Sequence, residues 1–532
     1  MRASVLSAAA AVLAFSGLAS AANLTEWKDR SIYQVMIDRY ALTDGSTDHE
    51  CEAHLTCGGT WAGLLNKLDY IEDLGFTAIQ ISPIVKNIEE HTAVGDPYHG
   101  YWSVDNYALN DKFGTEEDFR KLVDELHKRD IFLMVDVVVN NMAQAFDNII
   151  PPKIDYSKFN PFNDEKYFHP YCNVTEWENT TDYQNCWLYP YGVALADLAT
   201  EQPAVANELN SWVKELVSNY SIDGLRIDAA KHINDDFLPA FAEAAGVFSI
   251  GEVLTGKIED MCRYQTLNLL QGMPNYLEYY PLTKSFQYEG TFEDLEDIRK
   301  KAKTGCTDVF ALGPFVENHD MPRFASASDD LALAMNAMTY VLLADGIPTV
   351  YQGQEQHFKG NGTPFNREPL WQTGYDKTHP LYVLTSTLNK LRRHAQKLSP
   401  EYTEWPSETM VVNMNHYCLR KGPQGSQIVT CITNKSSNGD NFKIAVGGFQ
   451  ANDPVVEVLG CTTTTADAAG VFESFQFDGE PRVYVHGDML KDTEFCPTTT
   501  VAGPKVGAAS AKGAATGLLM AMAAGWAALF LA

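Results

Sequence analysis

Between residues 31 and 355, short apolar runs alternate with segments whose apolar residues recur at helical spacing. This alternation is typical of parallel strands joined by helices. The predicted strands are SIYQVMI (31–37), TAIQISPI (77–84), FLMVDVVV (132–139), GLRID (224–228), VFSIGEVL (247–254), FALGPFVE (310–317) and GIPTVYQG (346–353), with one more needed near 272–280. Between two of them, residues 115–129 predict a helix with a Thr cap, an acidic first turn and a basic last turn.

The alternation is interrupted once and then ends. Residues 142–195 are rich in Pro, Tyr, Asn and Asp and predict a subdomain inserted after the third strand. Residues 399–497 consist of short alternating stretches separated by turn residues, which predicts an antiparallel β-sandwich domain. We therefore expect an α/β fold, a TIM (β/α)8 barrel formed by residues 22–141 and 196–398, with the insertion and the C-terminal β domain attached.

Composition narrows the classes of partner. Lys and Arg total 40 against 69 Asp and Glu among 532 residues, which gives a formal net charge of −29. Long-range attraction to nucleic acid or to anionic lipid is therefore not expected. Apolar residues make up 45% of the chain, enough for a large core. We expect a monomer with a neutral ligand.

The N-terminus carries a targeting pattern. Arg2 precedes an apolar run that reaches Ala19-Ser20-Ala21, the small-x-small form of a signal-peptidase site. We interpret residues 1–21 as a cleaved secretory signal. A membrane anchor is disfavoured because the apolar run is short for spanning.

The C-terminus carries a second pattern over residues 498–532. Small residues precede a 16-residue apolar tail that starts at Gly517. This order predicts a glycosylphosphatidylinositol (GPI) attachment signal, with Gly507, Ala508 or Ser510 as the attachment residue. The alternative is an Ala-rich disordered tail. The protein is thus expected at the cell membrane or cell wall, with the anchor as its only membrane contact.

Secretion also changes how the cysteines are interpreted. Ten cysteines in an oxidising compartment indicate five disulfide bridges, whose connectivity the count leaves open. Six N-glycosylation tripeptides agree with this route, at Asn23, Asn173, Asn179, Asn219, Asn361 and Asn434.

Charged residues interrupt the predicted strands near their C-terminal ends, where a barrel of this kind carries its active site. Arg226 and Asp228 are two positions apart, so both side chains lie on one face of their strand. We expect the guanidinium to keep the carboxylate ionised, as a nucleophile requires. The alternative for each pair of this kind is a structural ion pair.

Glu252 ends an apolar strand with no basic residue within five positions. An apolar setting favours a protonated carboxyl, which suits a general acid. One ionised and one protonated carboxyl are the requirement for glycoside hydrolysis with retention, at a separation of about 5 to 5.5 Å. Asp320 follows a fourth strand and is expected to bind sugar hydroxyls. Each residue alone has an ordinary structural interpretation, but together they indicate a glycosidase.

These stretches resemble the ordered motifs of the α-amylase family, glycoside hydrolase family 13. The resemblance covers residues 24–496 and is carried by GDPYHGYW, DVVVNN, GLRIDAAKH, GEVL, FVENHD and DGIPTVYQGQEQH. It is strongest with secreted fungal α-amylases, and the C-terminal signal is similar to a GPI-anchored fungal subgroup associated with 4-α-glucan transfer.

The resemblance implies a role for individual residues. It implies Asp228 as nucleophile, Glu252 as general acid/base and Asp320 as transition-state stabiliser. The implied substrate-binding residues are His99, Tyr101, Trp102, Asn141, Arg226, Lys231, His232, His319 and Arg367. The implied ligands of one structural Ca²⁺ are Asn140, Gln184, Asp197 and the carbonyl of His232, an oxygen set that suits this ion.

The implied disulfides are Cys51 to Cys57, Cys172 to Cys186, Cys262 to Cys306 and Cys461 to Cys496. Cys418 and Cys431 remain as an extra candidate pair.

The sequence departs from the family pattern at several positions. Asn141 stands where the first motif normally ends in His, Gln184 replaces a Glu ligand, and Thr363 replaces an Asp. Gln80 and Val94 replace aromatic residues, so we expect altered donor-side sugar contacts and weaker calcium binding.

Three functions follow in order. The first is cleavage of α-1,4-glucans with transfer of the glycosyl unit to an α-glucan acceptor at the cell surface. The second is plain hydrolysis by an α-amylase. The third is an inactive α-glucan-binding wall protein, which the intact acidic set argues against.

Overall fold

The computed structural model describes residues 22–188, 191–287 and 290–497. The predicted signal peptide (1–21) and the predicted anchor signal (498–532) lie outside the described residues. Within these ranges, no helix has both the length and the apolarity needed to cross a membrane.

A parallel sheet curls around the core of the catalytic domain, as the strand pattern predicts. Its strands, in spatial order, are Thr349–Tyr351, Ile32–Val35, Ala78–Ile81, Phe132–Val137, Gly224–Ile227 and Phe248–Gly251. The side chains of these strands are almost all buried, as expected where helices cover a parallel sheet.

Two very short staves close the ring between the outer strands. Gly272 bridges Ile250 in parallel, and Pro274 bridges Gly313 in parallel. The Thr349 N–H then donates to the carbonyl of Pro314 at 3.0 Å. Long strands were predicted at both places. Proline lacks an N–H and shortens the ladder there, and a helix begins soon after the first stave.

The α-helices of the barrel are Leu24–Lys28, Ile37–Tyr40, Trp61–Asn66, Leu68–Asp73, Glu116–Lys128, Pro203–Tyr220, Leu238–Ala245, Ile258–Thr266, Tyr276–Phe286, Phe292–Gly305, Phe324–Ala327, Leu331–Leu343 and Pro380–Leu398. Short 3-10 turns lie at Asp111–Phe113, Tyr156–Lys158, Glu165–Tyr167, Ala230–His232, Val309–Ala311, Gln354–Gln356, Leu370–Thr373, Pro400–Tyr402 and Gly487–Leu490. The predicted helix at 115–129 is confirmed, and Thr115 and Asp118 form its capping box.

Two antiparallel ribbons extend from the barrel. Val85–Asn87 pairs with Ser103–Leu109, and Asn141–Ala145 pairs with Val193–Asp197. The second ribbon joins the barrel to the inserted segment, which contains the helix Thr180–Asn185.

The C-terminal part is antiparallel throughout its paired strands. A six-stranded sheet is formed, in spatial order, by Glu408–Val412, His416–Lys421, Ile428–Thr433, Arg482–His486, Pro454–Glu457 and Thr462–Thr465. A separate pair, Phe442–Val446 and Phe472–Gln476, packs on it through a cluster of apolar side chains that includes Val429, Val446 and Phe472. The fold class predicted from the sequence is confirmed.

All ten cysteines are paired. The four implied bridges are present, and the fifth joins Cys418 to Cys431, which are direct partners on adjacent antiparallel strands. Of the six glycosylation tripeptides, Asn434 is buried and its amide donates to the Ser285 carbonyl. That asparagine is therefore not an accessible acceptor in the folded chain.

Candidate active site

Arg226 lies at the centre of a cluster of carboxyl groups inside the barrel mouth. Its Nη1 donates to both oxygens of Asp136 at 2.9 and 2.8 Å and to Oδ1 of Asp228 at 2.7 Å. Its Nη2 lies 2.9 Å from Oε2 of Glu252, which also accepts the Ala229 N–H at 3.0 Å. One buried guanidinium therefore holds three acidic side chains that come from three neighbouring strands.

The electrostatics of Asp228 differ from the expectation. Burial raises the pKa of Asp228 well above the ordinary carboxyl range, Arg226 lowers it only in part, and the charge of Glu252 raises it further. The expectation that Arg226 alone keeps this group ionised is wrong for the free site. Glu252 was expected to lack a cation, but Arg226 reaches it from the adjacent strand. Two carboxyl groups that share one cation titrate as a pair.

Asp320 has the opposite electrostatic setting. Although burial raises its pKa, His319 and Arg367 together hold the pKa of Asp320 well below its usual range. His319 Nε2 lies 2.9 Å from Oδ2 of Asp320, and Arg367 Nη2 lies 3.2 Å from Oδ1. Thr363, which stands in place of an Asp, donates its hydroxyl to the His319 carbonyl at 3.3 Å. This third carboxylate is therefore ionised at neutral pH.

Tyr101 connects the two groups of acids. Its hydroxyl donates to Oδ2 of Asp136 at 2.7 Å, and its ring stacks on His319 with centroids 5.2 Å apart and an interplanar angle of 11°. His99 accepts the Tyr101 N–H at 3.0 Å and meets the Trp102 ring edge-on at 4.5 Å. The acids and these aromatic residues therefore border one opening.

Lys231 and His232 lie where the barrel meets the inserted segment. The Lys231 N–H donates to the Glu252 carbonyl at 3.1 Å, and its Nζ lies 5.2 Å from the centroid of the Tyr183 ring. His232 Nδ1 lies 3.1 Å from the carbonyl of Tyr183. Both residues are therefore on the Glu252 side of the opening.

Asn141 is buried at the start of the second ribbon, opposite Asp197. Among the described residues, its Nδ2 has no hydrogen-bond partner. A buried amide donor without a partner is unusual and is available to a ligand.

The structure therefore collects the predicted acids around one end of the barrel. The side chains of Asp228, Glu252 and Asp320 are 20%, 14% and 35% exposed. No role was predicted for Asp136, which pairs with Arg226, or for Gln34, whose amide lies beside His319. Both are polar residues within apolar strand runs, and that was the available signal.

Comparison with known proteins decides the family. The model of the α-amylase catalytic domain matches residues 34–397, and that of α-amylase domain C matches residues 409–504. The chain belongs to the α-amylase family of glycoside hydrolases. It is 41% identical to α-amylase 2 of Schwanniomyces occidentalis, over 88% of this chain and 92% of that protein. It is 42% identical to the α-amylase of Saccharomycopsis fibuligera, over 88% and 94%.

A solved structure of the family has the same fold. The α-amylase from Malbranchea cinnamomea matches with a TM-score of 0.86 and 42% identity, covering 89% of this chain and 100% of that one. The predicted family is therefore confirmed, and the protein is an enzyme of that family.

The calcium ligands implied by the family form two neighbouring pairs. Asn140 Nδ2 donates to Oδ1 of Asp197 at 3.1 Å, which leaves the Asn140 amide oxygen free to ligate. Gln184 follows Tyr183, whose carbonyl contacts His232. Among the described residues, no three His, Cys, Asp or Glu side chains form a metal group. The set consists instead of amide, carbonyl and single carboxylate oxygens, whose chemistry fits Ca²⁺ with one formal charge.

Replacing Arg226 with Lys tests the shared guanidinium. Lysine keeps the charge but lacks the planar fork, so it cannot hold Asp228 and Glu252 together. We expect kcat/KM to fall about tenfold to a hundredfold, the range for one or two charge-assisted hydrogen bonds. With the cation held less closely, the pKa of Asp228 rises further, so the acidic limb of the pH profile should move to higher pH. A profile with unchanged limbs, in a variant with unchanged melting temperature, would contradict this.

Proposed function

We propose that the enzyme cleaves α-1,4-glucosidic bonds of α-glucans with retention, through a covalent glycosyl-enzyme on Asp228. The observation that carries this is the shared guanidinium of Arg226, which holds Asp228 and Glu252 close together at the mouth where Asp320 also lies. Retention requires a short carboxyl separation, about 5 to 5.5 Å.

The contacts support a role for individual oxygens. Oε2 of Glu252 is occupied by Arg226 and by the Ala229 N–H, so Oε1 is the oxygen available to protonate the glucosidic oxygen. Oδ1 of Asp228 is held by Arg226, so Oδ2 is the attacking atom. Asp320, ionised and beside His319, would bind sugar hydroxyls more strongly as the ring distorts and positive charge develops.

The substrate-binding roles follow from position. Tyr101 and Trp102 would contact the sugar at the cleavage position, with His99, Arg226, His319 and Arg367 holding its hydroxyls and the acids around them. Lys231 and His232 would contact the leaving-group side, since both adjoin Glu252.

Incubation of the pure protein with maltoheptaose tests this function. We expect products whose new anomeric centre is α when followed at early times by NMR. Glu252→Gln should lose at least ~10³-fold in kcat/KM, because the general acid is removed. Glu259→Gln, an exposed change on the next helix, is the matched control and should keep full activity.

Two outcomes would contradict the proposal. A β product would exclude the retaining mechanism, and unchanged turnover in Glu252→Gln would exclude this residue as the acid. A wild-type protein that binds maltoheptaose without any turnover would favour the inactive glucan-binding protein instead.

We further propose that the glycosyl unit passes mainly to a sugar hydroxyl, which makes the enzyme a 4-α-glucanotransferase. The specific observation is Asn141, whose unpartnered Nδ2 is buried where the family pattern has an imidazole. A shorter side chain leaves more room at the cleavage position for an acceptor. Hydrolysis by water, as in a plain α-amylase, shares the first step and differs only in the acceptor.

Asn141→His tests the link between this position and the acceptor. We expect the ratio of products longer than the substrate to shorter ones to fall severalfold, because the larger ring fills the space. Chromatography by chain length measures the ratio, and Asn141→Ala serves as the comparison, since it enlarges the space. An equal ratio in all three proteins would remove Asn141 as the determinant.

We propose one structural Ca²⁺ held by Asn140, Gln184, Asp197 and the carbonyl of His232, which would tie the insertion to the barrel. The ion would supply structural stabilisation and no chemical step.

Removal of Ca²⁺ with a chelator should lower the melting temperature, and an excess of about 100 times Kd should stabilise the fold by about 2.7 kcal/mol. Gln184→Glu adds a charged ligand and should lower Kd for Ca²⁺ about tenfold or more by calorimetry. Asn185→Asp adds the same charge one residue away and should not reproduce that gain. Equal melting curves with chelator and with Ca²⁺ would contradict the site.

We propose that the mature enzyme acts at the cell surface through a GPI anchor. Support comes from the sequence pattern of the C-terminal tail, which lies outside the described residues. Five disulfides agree with an oxidising compartment.

A further inference from the structure

Gln34 is a buried polar residue in the barrel interior to which the proposed chemistry gives no role. It is 8% exposed, and its Cα partners on the two adjacent strands are Gln80 and Tyr351. Bulky branched apolar side chains normally fill the interior of such a barrel. A buried amide there requires a hydrogen-bond partner.

The partner is an imidazole at the catalytic opening. Nε2 of Gln34 lies 3.1 Å from Nδ1 of His319. At the other edge of the same ring, Nε2 of His319 lies 2.9 Å from Oδ2 of Asp320. Tyr101 stacks on one face of the ring. The imidazole is therefore held at both nitrogens and on one face.

The chemistry of the two contacts determines where the ring proton lies. An amide nitrogen only donates, so the Nδ1 that faces it must accept and carries no proton. The proton of the neutral ring is then on Nε2, and this N–H donates to the carboxylate of Asp320. Protonation of Nδ1 would place two donors against each other.

The other end of the amide agrees with this orientation. Among the described residues, Oε1 of Gln34 and the hydroxyl of Tyr351 are buried without partners. Both residues line a cavity of about 10 Å³ beneath His319. A cavity of that size holds one water molecule, which would donate to Oε1 and accept from the Tyr351 hydroxyl.

We propose that Gln34 is a positioning residue, which fixes the tautomer and the ring angle of His319. The Nε2–H of His319 is thereby aimed at Asp320 and at a hydroxyl of the bound sugar. The catalytic consequence rests on the proposed function, whereas the hydrogen-bond pattern does not.

Two variants test the assignment. Gln34→Met has similar volume but no donor. We expect about a threefold to tenfold loss of kcat/KM on maltoheptaose, mostly in kcat, the range that one neutral hydrogen bond supports. Gln34→Glu presents an acceptor, so Nδ1 of His319 should take a proton and the pKa of His319 should rise by about one to three units.

Nitrogen NMR of protein labelled at histidine reads the ring directly, with the His319 signals identified through His319→Asn. In the wild type we expect an unprotonated Nδ1 and a protonated Nε2. Gln34→Met should mix the two tautomers, and Gln34→Glu should move the titration to higher pH. Gln80→Met, the same change on the adjacent strand, is the matched control and should leave the His319 signals in place.

Unchanged His319 signals in both Gln34 variants would overturn the proposal, as would a protonated Nδ1 in the wild type. Should Gln34→Met fail to fold, the near-isosteric Gln34→Glu still decides it. Absence of wild-type turnover on maltoheptaose would refute the proposed function alone, because the NMR measurement needs no substrate.

Discussion

The rest of the site depends on a single buried guanidinium that faces more negative charge than it can neutralise. Arg226 bonds to Asp136, Asp228 and Glu252, so three acidic groups share one cation. Repulsion and burial keep all three from being ionised together. A site built in this way retains a proton at neutral pH, which an acid catalyst beside a nucleophile requires. Asp320 lies outside this competition because it has its own cations.

The register of the parallel sheet produces this arrangement. Asp136 and Arg226 are Cα partners on adjacent strands, and Arg226 is in turn the partner of Ile250. Glu252 lies two residues beyond Ile250, so its side chain points to the same face as that partner. A shift of one residue in either strand would turn the charges away from the interior. The order of the strands therefore matters as much as their composition.

Sequence reasoning succeeded where the relevant relation is local. The spacing of Arg226 and Asp228 predicted that both face the interior, and the alternation predicted the barrel. It failed where the relation crosses strands, since counting neighbours of Glu252 along the chain missed Arg226 next to it in space. The same limit hid the contact between Gln34 and His319, which are 285 positions apart. Closure through the staves at Gly272 and Gly313 depends on single bridges that carry no strand pattern.

The raised pKa of Asp228 in the free enzyme is consistent with a nucleophilic role once substrate is considered. A glucosidic oxygen beside Oε1 of Glu252 accepts a hydrogen bond only from the protonated acid, so binding favours the microstate in which Glu252 holds the shared proton. Asp228 is then the ionised member of the pair and faces a sugar ring on which positive charge develops. The interaction is stronger in the transition state than in the ground state, which is the form of binding that accelerates a reaction. A pair with a mobile proton can therefore suit the reaction better than a nucleophile held permanently ionised, because its charge appears where the substrate requires it.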